Sequence, residues 1–142
     1  MKIILSFLFV SLFTGTWLTN FEEAQTQAKQ EQKLILLNFS GSDWCAPCIK
    51  MKQEVFESAD FIQLADESLV LVRADFPRSK KKQLPADQTA HNEKLAERYN
   101  PQGKFPYTLL LNSDGSILKT WDGYVFASQD KVLDELRKVI KP

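Results

Sequence analysis

Cys45 and Cys48 are the only two cysteines of the 142-residue chain. They stand in the run Ser42-Asp43-Trp44-Cys45-Ala46-Pro47-Cys48. Two thiols at this spacing can cycle between dithiol and disulfide, supply half of a metal site, or close a small staple. Redox cycling needs one sulfur activated as a thiolate and a second within reach of it. A helix N-terminus provides the activation, because its unpaired N–H groups and positive dipole end stabilise negative charge. C-x-x-C between an apolar run and a helical pattern is that arrangement. It makes Cys45 the lower-pKa, exposed nucleophile and sets Cys48 one helical turn on, where it can attack a mixed disulfide. Pro47 suits the first helical turn, where its missing N–H costs nothing, and with Ala46 it forms a stiff loop between the sulfurs.

The rival chemistries have less to work with. A structural zinc site takes four ligands, usually Cys or His. One subunit offers two cysteines and a single histidine, His91, so a carboxylate or a second subunit would have to complete it. His91 stands beside Asn92 and Glu93 on a polar helix and reads as a solvated surface residue. A disulfide that closes only two intervening residues removes little chain entropy, so the staple reading is weak. The residues favour a redox pair, with neither metal nor cofactor.

The elements that must position this pair can be read around it. Lys33 to Ser40 (KLILLNFS) and Leu69 to Phe76 (LVLVRADF) are short apolar runs of the kind buried strands make. Gly41 to Trp44 is a turn. From Cys45, the spacing of Ile49, Met51, Val55 and Phe56 predicts an amphipathic helix whose first turn holds the cysteines. Phe61 to Ala65 adds a helical turn or two. Phe21 to Gln32 and Thr89 to Tyr99 read as helices. Asn100 to Lys104 is a breaker cluster. Phe105 to Asn112 is a third strand, Ser113-Asp114-Gly115 a hairpin turn, and Ile117 to Tyr124 the strand it pairs. Ser128 to Ile140 closes the chain as a helix, with Ser128 placed to cap it. Strands separated by helices predict an α/β domain with a parallel core and an antiparallel hairpin at its edge.

Composition bounds the rest. Apolar residues make up 44% and charged residues 25%, with formal net charge zero, so no global field points to nucleic acid. One basic run, Arg78 with Lys80, Lys81 and Lys82, reads as a solvated loop. Residues 1–20 have a lysine followed by an apolar core too short to span a bilayer comfortably, the layout of a secretory signal. The small residues Thr14 to Thr16 are followed by Trp17 and Leu18, a poor cleavage site, so an uncleaved N-terminal anchor is the alternative. The expected organisation is 1–20 as signal or anchor and 21–142 as one exported domain, periplasmic or extracellular. Nothing demands more than a monomer.

At this point the chain resembles the thioredoxin superfamily, on "WCAPC" after an apolar strand and "FPYTLLLNSDGS" further on. More narrowly, "NFSGSDWCAPCIKMKQEVF" is similar to exported bacterial thioredoxin-like proteins. The resemblance covers about residues 31 to 140. It implies the thioredoxin-like fold, a central mixed sheet flanked by helices, with Cys45 the nucleophile and Cys48 the resolving cysteine. Trp44 matches the aromatic beside the active site and Pro106 the family's cis-proline. The backbone of Phe105 would then pair with an extended substrate segment, a form of strand addition.

The chain departs from the family at one place. Archetypal members carry a buried Asp on the strand before the motif, and Asn38 or Phe39 stands there instead. Neither is a base. Asp43 on the turn and Glu54 on the helix are the nearest carboxylates in sequence, and neither is well placed for proton transfer from Cys48. The resemblance implies a thiol–disulfide oxidoreductase acting on protein disulfides. Ala46-Pro47 is close to the Gly-Pro of reducing thioredoxins and lacks the histidine of strongly oxidising relatives. The expected direction is therefore reduction, fed by a membrane electron-donor protein, with the oxidase or isomerase direction as the alternative. A further alternative is a non-catalytic binding module whose basic loop, Pro77 to Asp87, is the partner surface.

Overall fold

A computed structural model describes residues 15–125 and 127–141. Five strands form one sheet in the order β1-β3-β2-β4-β5. They are β1 (Trp17–Leu18), β2 (Leu34–Ser40), β3 (Leu69–Asp75), β4 (Tyr107–Leu111) and β5 (Ile117–Asp122). The helices are α1 (Phe21–Glu31), α2 (Ala46–Met51), α3 (Ala59–Ser68), α4 (Ala86–Tyr99) and α5 (Gln129–Ile140).

β2 lies at the centre. It pairs in parallel with β3, Leu34 opposite Leu69 through Ser40 opposite Asp75. On its other side it pairs antiparallel with β4, Phe39 opposite Tyr107. A strand covered on both faces favours apolar residues on both, which is why "LILLNFS" opens with a continuous apolar run rather than an alternation. Ile35, Leu37 and Phe39 point to one core, closed by Phe21, Ala24 and Ala28 of α1 and by Leu95 and Tyr99 of α4. Leu36 points to the other, closed by Met51, Val55, Phe61 and Leu136. Each fully buried Leu or Phe contributes about 1.5–3 kcal/mol, so these two layers hold the end of β2 rigid.

Local signals set the helix ends. Asn20 Oδ1 accepts the N–H of Glu23 at 2.8 Å and Ser58 Oγ accepts that of Phe61 at 3.3 Å, both as N-caps. Ser128 does not cap α5: its hydroxyl donates back to the Val125 carbonyl. The helix after the motif is not one uniform rod. α2 passes into a π-helical turn, Lys52–Phe56, across which the consecutive residues Val55 and Phe56 are both buried.

Two features differ from the sequence reading. β4 enters after α4 yet joins β2 antiparallel, so β4 alone runs against the other strands and β5, antiparallel to β4, runs in the direction of β2. Trp17 and Leu18 pair in parallel with Leu71 and Val72, so this strand lies on the signal side of the boundary drawn at residue 20. Trp17 stacks on the second core, 4.9 Å from Phe56, with the Arg73 guanidinium 4.1 Å from its ring centroid. Residues 1–14, the apolar stretch of the expected leader, lie outside the described residues. Among the described residues no helix is long and apolar enough to cross a membrane.

Candidate redox site at the end of the central strand

β2 ends at Ser40, and the chain turns through Gly41 to Trp44 into α2. The turn is closed by the Gly41 carbonyl, which accepts the N–H of Trp44 at 3.3 Å and of Cys45 at 2.9 Å. Cys45 is the N-cap of α2 rather than a residue of its first turn. Its sulfur accepts the N–H of Cys48 at 3.3 Å, the bond a serine or aspartate cap would make. Cys48 lies within α2, and its sulfur accepts the N–H of Gly41 at 3.5 Å. The two cysteines are joined as a disulfide, with Cα atoms 5.2 Å apart. In this oxidised form both are buried, Cys45 at 5% and Cys48 at 4% exposure, so exposure does not tell the two sulfurs apart. Their positions do: Cys45 is at the positive end of the helix and Cys48 is inside it. Ala46 and Pro47 bridge them and are exposed.

Trp44 folds back over the turn. A Cβ built on Gly41 would stand 2.3 Å from Trp44 Cε2, so only glycine leaves room for the indole. The indole N–H donates to the Phe76 carbonyl at 2.7 Å. Its ring meets Phe105 edge-on at 5.3 Å between centroids, and Phe105 meets Phe76 at 5.5 Å. The Phe105–Pro106 peptide bond is cis. Pro106 is buried, and its carbonyl accepts the N–H of Gly123 at 2.9 Å. β4 begins at Tyr107, after this pair rather than with it. Because Tyr107 lies opposite Phe39, Phe105 and Pro106 sit at the same end of the sheet as the motif.

The far side of the turn is tied to the end of β3. Ser42 donates both its N–H and its hydroxyl to Asp75, at 2.9 and 2.6 Å. Asp43 accepts the N–H groups of Arg78 and Ser79 at 3.0 and 2.7 Å. Those two backbone bonds hold its carboxyl below the ordinary aspartate range. The Arg78 guanidinium lies 3.7 Å above the Trp44 ring.

Asn38 is buried beneath the motif helix. Its amide donates to Thr108 Oγ1 at 3.0 Å, and that hydroxyl meets Met51 Sδ at 3.8 Å. Phe39 belongs to the opposite core. Glu54 is engaged elsewhere: it accepts the Tyr124 hydroxyl, which burial and this carboxylate push up to about 12. A cavity of about 280 Å³ reaches Cys48, and Glu57, Arg73 and Asp75 also line it. His91 is no solvated residue. Its Nε2 accepts the N–H of Phe21 at 3.2 Å and Nδ1 lies 3.7 Å from Glu22, which docks α4 onto the start of α1.

Gly41, Asp75, Phe76 and Arg78 belong to the site without a motif to announce them. Gly41 carries the one usable signal, a residue without a side chain directly between a buried strand and a tryptophan. The others are 32 to 35 positions from their partners in the motif, and no local pattern records that.

With this geometry in view, the comparisons with known proteins are direct. The family described as thioredoxin-like domain matches residues 21–140. The chain is 36% identical over 99 residues to the disulfide bond reductase DsbH of Chlamydia pneumoniae, covering 70% of this chain and 58% of that protein. It is 37% identical over 60 residues to the thioredoxin-related protein DsbJ of the same organism, covering 42% of this chain and 17% of that one. The chain thus spans little more than half the length of one curated relative and a sixth of the other. A solved structure named DsbH oxidoreductase superposes with a TM-score of 0.75 at 28% identity, covering 89% of this chain and 84% of that one.

Proposed function

The chain belongs to the thioredoxin-like family, and on that premise we propose that it is a thiol–disulfide oxidoreductase that reduces protein disulfides. The observation that carries the reading is the Cys45–Cys48 disulfide at the N-terminus of α2, with Cys45 as the cap. In the reduced enzyme the Cys45 thiolate attacks one sulfur of a substrate disulfide. A Cys45–substrate bond forms and the first substrate thiolate leaves. The Cys48 thiolate then attacks the Cys45 sulfur, the intramolecular disulfide forms, and the second substrate thiolate leaves. Two electrons pass to the substrate. The N–H of Cys48, directed at Cys45 Sγ, and the dipole of α2 both favour the Cys45 thiolate.

Trp44, Phe105 and Pro106 form the substrate-facing wall, against which an extended segment is held by the backbone before β4. Reduction is the direction supported by the Ala46-Pro47 dipeptide and by a relative named as a disulfide bond reductase. Reduced enzyme is regenerated by a membrane electron donor, and the domain works outside the cytoplasm behind the apolar leader. Its N-terminal boundary lies nearer Gly15 than Phe21, because β1 belongs to the sheet.

The test is turnover of insulin disulfides with dithiothreitol as reductant. Wild type accelerates it, Cys45→Ser abolishes it, and Cys48→Ser accumulates a mixed disulfide through Cys45. Full turnover by Cys45→Ser would show that the nucleophile is misassigned.

A further inference from the structure

Four cations crowd five positions, Arg78, Lys80, Lys81 and Lys82, and no acidic residue occurs from Phe76 to Pro85. The chain as a whole carries no net charge, so this run is a local field. All four side chains are exposed, and the three lysines form a 3-10 turn, Lys80–Lys82. Among the described residues none of the four forms a salt bridge with a carboxylate. A loop of such cations is commonly left free in solvent. This one is fastened to the redox motif.

Three contacts fasten it. Asp43 takes the N–H groups of Arg78 and Ser79. Trp44 donates to the Phe76 carbonyl. The Arg78 guanidinium sits over the Trp44 ring, 3.7 Å from its centroid. Both side chains that hold the loop therefore belong to the two residues immediately before Cys45. Stacking uses the face of the guanidinium and leaves its in-plane donors for a carboxylate. The same Trp44 ring touches Phe105, beside Pro106, so the basic loop adjoins the wall proposed to receive substrate.

We propose that residues 78–82 are a docking rim for acidic segments flanking the reactive cysteine of a partner or substrate protein. Arg78 takes a carboxylate next to the disulfide and the lysine turn attracts further acids along the chain. The rim selects partners by charge and speeds encounter, while Cys45 performs the exchange. This rests on the reading that Cys45 is the nucleophile.

The experiment separates the two claims. Reduced Cys48→Ser protein is mixed with synthetic peptides that carry an activated disulfide flanked by glutamates or by glutamines. The rate of mixed-disulfide formation at Cys45 is read for each. The glutamate peptide is expected to react about tenfold faster at low salt, with the advantage gone in about 1 M salt, where the Debye length is about 3 Å. Replacing Arg78, Lys80, Lys81 and Lys82 with glutamine should bring the ratio near one. Taking the ratio removes any general change in Cys45 reactivity or folding. An unchanged ratio in that variant, or no preference in the parent, overturns the rim. Insulin turnover by wild type, measured alongside, reports on the oxidoreductase reading by itself.

Discussion

Gly41 and Trp44 share one space: the indole occupies the position where a side chain on residue 41 would begin, with 2.3 Å left between Cε2 and a built Cβ. The ring cannot stay there against any other residue. Gly41→Ala should push Trp44 off the Phe76 carbonyl and cost about 1–3 kcal/mol, the usual range for overpacking. Urea denaturation followed by tryptophan fluorescence gives both the loss and the change in indole environment. An unshifted midpoint with native fluorescence would show that the turn has slack.

Asp43 makes the docking of the 78–82 loop depend on pH. Its folded pKa is lowered below the ordinary 3.8, first by the backbone N–H groups of Arg78 and Ser79. A lowered acid contributes stability that is complete above its unfolded value and is lost as pH falls through its folded value. The amide resonances of Arg78 and Ser79 should therefore be constant down to about pH 4 and titrate below it. In Asp43→Asn the titration should vanish. A midpoint above 3.8 in the wild type would mean these bonds do not hold the carboxylate.

The motif and the two long apolar strands were legible because local chemistry specifies them. Cys45 and Cys48 stand alone in the chain, and "LILLNFS" is apolar nearly throughout because it is covered on both faces. β1 was not legible. Two residues carry no periodicity, and Trp17 and Leu18 adjoin an apolar leader that masks them; only the open edge of β3 makes them a strand. The ties from Ser42 to Asp75 and from Asp43 to Ser79 join distant positions. They arise because parallel pairing brings Ser40 opposite Asp75. His91 misled for a similar reason: its neighbours in sequence are polar, whereas its partner Phe21 is 70 positions away.

Asn38 is buried beneath the motif helix, and the resemblance to thioredoxins implies a buried carboxyl on this strand at Asn38 or Phe39. Asn38→Asp should fold well at acid pH, where a neutral carboxyl can replace the amide donor to Thr108. Burial raises an acid's folded pKa. Stability should then fall as pH rises from about 4 to that raised value and level off beyond it. The loss is about 1.4 kcal/mol for each pH unit that separates the folded value from the unfolded one. Urea midpoints of variant and wild type across pH check this; a difference independent of pH would contradict it.

Trp17 packs on Phe56 and Phe61 and lies under the Arg73 guanidinium. It is only part-buried, so Trp17→Ala should cost about 2–3 kcal/mol, at or below the low end for aromatic truncation. A chain beginning at Phe21 should lose at least as much relative to one beginning at Gly15. Equal urea midpoints for the two chains would place β1 outside the cooperative unit.

The most direct test of the central claim is the equilibrium of Cys45–Cys48 with glutathione, measured on a chain that begins at Gly15. A reductase built on this site should have a potential near that of thioredoxin, about −270 mV, and every ~30 mV is tenfold in the equilibrium constant. A potential near −120 mV, roughly that of a strong oxidant, would contradict the reducing direction and make the protein a disulfide donor.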